Sequence, residues 1–196
     1  MHSEFMSGIR DWQAPVISRL ALLTTVGLVL FIFESLIPRP LPWLKPGLAN
    51  AASLLALYLY GLVPALVVAA LRVVLGSLIL GSFFNPVFIF SLGGAVVATV
   101  MMGLGKRFSG QHLSVVGISV LGAFAHNLTQ AALAYFWVVK RSEMLYLLPM
   151  MLLSSIFTGF VVGVLCYFVM AKGCAADIFA IRAVQKRGTT DDPAEG

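Results

Sequence analysis

Two charged side chains, Glu34 and Arg72, stand inside long apolar runs, and a third segment, Ala125-His126-Asn127-Leu128-Thr129-Gln130, places an imidazole and two amides within five positions. An ionisable group in hydrocarbon costs a few kcal/mol, so such residues face a partner, a wet cavity or a ligand. The chemistry they offer is recognition: a guanidinium for an anionic or carbonyl group, a carboxylate and amides to fix orientation. Two plainer readings stand beside this one. Glu34 and Arg72 can form a structural ion pair, and His126, Asn127 and Gln130 can join helices by interhelical hydrogen bonds worth only ~0.6 kcal/mol each. His126 and Gln130, four apart, share a helix face, and Asn127 widens it into a polar stripe. Asn50 and Asn85 border the apolar segments and complete a candidate binding set of Glu34, Asn50, Arg72, Asn85, His126, Asn127 and Gln130.

Chemistry beyond recognition has no motif to carry it. The chain holds no GxxxxGK[ST], HExxH or GxSxG pattern and no His, Cys and carboxylate cluster at metal spacing. A diphosphate held through magnesium needs several oxygen ligands, yet the only Asp pair, Asp191-Asp192, lies in the polar tail. Cys166 and Cys174 are eight apart on one expected helix, about 12 Å along its axis, too far to pair. The residues thus predict neither catalysis, nor a metal, nor a cofactor.

The elements that must position the polar set follow from composition. Of 196 residues, 60% are hydrophobic and 11% charged, the balance of one polytopic all-α membrane domain. The net charge of +5 sits in loops and flanks rather than on one face, which argues against nucleic acid. Expected spans are Ser18 to Ile37, Gly47 to Tyr60, Leu62 to Leu80, Pro86 to Gly105, Leu113 to Val139 and Tyr146 to Ala171. The second and third would together exceed a ~30 Å hydrocarbon core, and Gly61 and Pro64 mark the break between them.

Six spans with both termini in the cytoplasm put eight basic residues inside (Arg10, Arg19, Lys106, Arg107, Lys172, Arg182, Lys186, Arg187) against Arg39, Lys45, Lys140 and Arg141 outside. A five-span arrangement scores the same, so the Gly61/Pro64 break decides. Residues 1–17 then form a cytoplasmic segment, 18–171 the membrane domain, and 172–196 a basic segment with a disordered tail. The segment 172–187 fits either a helix on the inner surface or a juxtamembrane stop. The first outer loop carries four prolines between Pro38 and Pro46, so it is stiff, with Pro40 and Trp43 serving as a lid or as headgroup anchors. Small residues, among them Gly93, Gly94, Gly159 and Gly163, mark close helix contacts.

The runs Gly47-Leu48-Ala49-Asn50-Ala51-Ala52, Phe90-Ser91-Leu92-Gly93-Gly94, and Gly117-Ile118-Ser119 leading to His126-Asn127-Leu128-Thr129-Gln130 resemble a bacterial membrane family. It is labelled heptaprenyl diphosphate synthase component I or Gx transporter family, and is itself similar to the S components of energy-coupling-factor transporters. The resemblance implies a six-helix bundle of the inner membrane that binds a vitamin-like small-molecule solute in an outward pocket capped by the loop after the first helix. It implies a transmembrane coupling subunit and ATPases as partners. The family's association with isoprenoid or quinone metabolism and with flavin-linked extracytoplasmic electron transfer implies, as the alternative, a non-transporting membrane subunit with redox or isoprenoid partner proteins.

Overall fold

The computed structural model describes residues 14–36, 47–109, 113–139, 146 and 148–188, with side chains undescribed at 14, 15, 109, 138, 139 and 173–188. Six α-helices follow in order: α1 Ala14–Leu36, α2 Asn50–Tyr60, α3 Leu62–Ile79, α4 Pro86–Ser109, α5 Val115–Ala134 and α6 Leu148–Gly188. A π-helical turn, Tyr135–Val139, ends α5. No strand occurs among the described residues. All but α2 are long and apolar enough to cross a membrane. At 1.5 Å per residue, α2 with 11 residues reaches only about 16 Å.

Gly61 makes the break expected from the sequence, and makes it sharp. Its φ of +93° is a conformation that side-chain-bearing residues rarely adopt, and α3 starts at the next residue. Arg72 hydrogen-bonds Asn50, 22 residues earlier, which in one straight helix would lie about 33 Å away. The chain therefore reverses at Gly61, and α2 and α3 form an antiparallel helical hairpin.

Short as it is, α2 is the hub of the bundle. Asn50 through Leu54, Ala56 and Leu57 are buried, and the helix packs against α1, α3, α4, α5 and α6. Its Leu54 and Leu57 share a core with Val68, Met102, Ile118 and Val162 from four other helices. Outward faces, in contrast, carry exposed Leu22, Val29, Phe33, Phe157, Phe160 and Leu165, the inside-out pattern that lipid permits. Helices α5 and α6 touch backbone to backbone: a Cβ added at Gly159 would lie 2.7 Å from the Cα of Val120, and one at Gly163 2.6 Å from that of Val116. The Gly159/Gly163 pair is a packing device.

Helix ends differ modestly from the expected spans. Helix α1 begins at Ala14, α2 at Asn50 rather than Gly47, and α4 runs on to Ser109. Gly47, with φ +86°, belongs to the turn that leads into α2. Helix α6 continues without a break from the apolar stretch through Lys172 to Gly188. The lid residues Pro40 and Trp43, the outer basic residues Lys140 and Arg141, the N-terminal residues 1–13 and the tail 189–196 lie outside the described residues.

Candidate functional site

Every member of the polar set except Asn85 is buried. Glu34, Asn50, Arg72, His126, Asn127 and Gln130 each expose 5% or less of their surface. They fall into two groups carried by different helices, and the groups use their hydrogen-bonding capacity differently.

The first group comes from α1, α2 and α3. Glu34, near the end of α1, accepts at Oε1 from the backbone N–H of Leu48 and, at 3.4 Å, from that of Ala49. These amides open α2, and Ala49 at its N-cap provides no side-chain acceptor. The first N–H groups of a helix need outside acceptors and carry partial positive charge, so a carboxylate from another helix satisfies both needs. Arg72 on α3 donates from Nη2 to Asn50 Oδ1 at 2.5 Å, and Glu34 attracts its charge coulombically. Gly27 on α1 makes room: a Cβ there would come 3.0 Å from Arg72 Cδ and 2.9 Å from Ala52 Cβ. Arg72 Nε and Asn50 Nδ2 are buried without a partner among the described residues.

The opposite end of α2 is held in the complementary way. Lys106, on α4, donates from Nζ to the carbonyl of Leu57 at 3.1 Å and lies 4.4 Å from the Tyr58 ring centroid. A cation near the last turn of a helix answers the negative end of its dipole. Cys166 of α6 reaches the first turn of α2, its Sγ 3.6 Å from the carbonyl of Ala51.

The second group comes from α4 and α5. Gly94 of α4 receives both His126 and Gln130: an added Cβ would meet His126 Nδ1 at 2.9 Å and Gln130 Cγ at 3.1 Å. Asn127 turns instead to α6, donating from Nδ2 to the carbonyl of Met151 at 3.1 Å. The polar stripe read from the sequence is thus shared between two neighbouring helices. Gln130 is fully buried, and among the described residues neither Oε1 nor Nε2 has a partner; the same holds for Asn127 Oδ1 and Ser91 Oγ. An unpaired polar atom in such surroundings costs about 1–3 kcal/mol.

Asn85 stands apart. It is exposed, and its Oδ1 accepts from the Val87 N–H at 3.1 Å, which caps the start of α4. Sequence reasoning missed Ser91, whose signal is its place one turn before Gly94 on the same face of α4. It also missed the role of Leu48 and Ala49, which act through backbone atoms. A helix start with Gly47-Leu48-Ala49 and no capping side chain was the available signal for an outside acceptor.

Among the described residues, two cavities of about 350 Å³ lie away from both polar groups. One is an open apolar groove between α1 and α3, lined by Leu20, Ala21, Thr24, Val67, Leu71 and Leu75. It faces outward, where lipid chains would fill it. The other sits at the Gly61 turn beside Lys106 and Arg107. No group of three or more metal-ligating side chains occurs among the described residues.

Fold and interior together define a helical membrane protein whose bundle encloses a polar set. The chain belongs to the heptaprenyl diphosphate synthase component I family, whose sequence profile matches residues 23–169. No curated protein and no solved structure shows significant similarity to it.

Proposed function

We propose that this protein is the solute-binding membrane subunit of a small-molecule transporter, an S-component-like bundle of six spans with both termini in the cytoplasm of a bacterial inner membrane. A vitamin-like or related solute would bind toward the outer side against Gln130, Asn127, His126 and the Asn50–Arg72 pair, with the segment containing Pro40 and Trp43 as lid. Energy would come from a transmembrane coupling subunit and ATPases, since the chain has no nucleotide-binding loop. One observation carries this reading. Gln130 keeps both polar atoms of its amide buried and unpartnered, an arrangement that a ligand compensates and that lipid does not.

The family description, heptaprenyl diphosphate synthase component I, favours a second reading, a non-transporting membrane subunit tied to isoprenoid metabolism, with quinone metabolism or flavin-dependent electron transfer as its neighbouring forms. The same experiment separates the two. Native mass spectrometry of the purified protein should find a retained small solute that Gln130→Met and His126→Ala release. Retention of a prenyl diphosphate, a quinone or a flavin would favour the second reading. Absence of any retained molecule, with vitamin uptake unchanged on deletion of the gene, would remove the transport reading.

A further inference from the structure

The two polar groups differ in charge as well as in satisfaction. Glu34 and Arg72 contribute one negative and one positive charge to the same group, where they attract one another. Glu34 Oε1 is engaged by the start of α2, and Arg72 Nη2 by Asn50. Their charges offset one another inside the protein, which leaves little to neutralise an ionic ligand. What remains open in the second group is uncharged. Gln130 offers an acceptor and a two-proton donor side by side, Asn127 a carbonyl oxygen, and Ser91 a hydroxyl. Asn50 Nδ2 and Arg72 Nε add donors suited to a carbonyl oxygen.

A primary amide with both atoms free pairs best with an edge that presents a donor and an acceptor next to each other, the geometry by which glutamine reads a purine edge. Resting on the solute-binding reading above, we propose that Gln130 recognises an uncharged heterocyclic ligand through adjacent N–H and carbonyl or ring-nitrogen groups, as in a lactam, an imide or an aminopurine. The ligand is not a carboxylate or phosphate held by Arg72. Gly94 serves this recognition by giving the Gln130 stem space that a methyl group would occupy. A site that hydrogen-bonds a buried donor–acceptor edge rejects analogues lacking it by as much as ~10⁴–10⁵-fold, because its own polar atoms are then stranded.

The test uses the full-length protein in nanodiscs and native mass spectrometry with an equimolar pool. The pool contains uracil, xanthine and adenine; the methyl-blocked 1,3-dimethyluracil and caffeine; and the carboxylates benzoate and nicotinate. The expected result is retention of at least one unblocked heterocycle, none of the blocked pair or the carboxylates, and at least tenfold weaker retention by Gln130→Met. Thermal unfolding confirms that the variant folds. Gln130→Leu, which also removes both polar atoms, replaces it if it does not. Preferential retention of carboxylates, or equal retention of heterocycles by the Gln130 variants, would overturn the ligand class and leave solute binding standing. Retention of no probe, together with no copurifying molecule, would overturn both.

Discussion

The α1–α3 polar group and the α4–α5 polar group are buried to the same degree, yet the charged residues of the first are engaged within the fold while the Gln130 amide of the second is left open among the described residues. Glu34 closes the start of α2 and balances Arg72, which in turn grips Asn50. Gln130 closes nothing. The residues with formal charge attract attention first in a membrane sequence, but here their charges serve helix α2. The better mark of recognition is a neutral amide that the protein itself does not satisfy. A buried polar group held by partners tells about folding; one without them tells about what else must come.

The sharpest way to break this contrast is Glu34→Ala. It strands the first amides of α2 and leaves Arg72 without its counter-charge, so it should destabilise the bundle by about 3–5 kcal/mol in detergent unfolding. A loss below about 1 kcal/mol would mean that the α1–α3 group is not structural. Gln130→Met should act in the opposite direction. Removing two unpartnered polar atoms while keeping the volume should raise stability, by up to about 1–3 kcal/mol, even as ligand retention falls. A stability loss of that size would show Gln130 to be a structural hydrogen-bonding residue and erase the difference between the groups. The smallest effect belongs to the far end of α2. Lys106→Met removes a cation from the helix C-terminus and should cost about 0.3–1 kcal/mol, with no change in ligand retention. Altered retention would tie that end of α2 to the site.

Much of the architecture was legible in the sequence because membrane helices announce themselves by unbroken apolar length. The break at Gly61 was legible for the same reason, since the combined segment was too long for a bilayer and contained a glycine and a proline. Helix α6 shows where that signal stops: apolarity ends near Lys172, but helical propensity does not. The candidate site was half legible. Polarity within apolar runs picked out Arg72, His126 and Gln130, all of which are buried. It did not reveal that Asn127 faces α6 or that Asn85 merely caps α4. Partner choice depends on how helices rotate against one another, which glycines such as Gly94 decide and hydropathy does not report. Glu34 was harder still, because the N–H groups of Leu48 and Ala49 that it accepts from belong to the backbone and carry no side-chain signature.

The Glu34 contact also bears on how the chain is made. Leu48 and Ala49 follow Glu34 by 14 and 15 residues, and Arg72 follows Asn50 by 22. At synthesis rates of about 5–20 residues per second, each of these partners emerges within roughly one to five seconds of the group it satisfies. The first three helices can thus enter the lipid as a unit whose costly charges already have internal partners. Asn127 also waits only 24 residues for Met151. Gln130 is different: no later part of the described chain arrives to meet its amide.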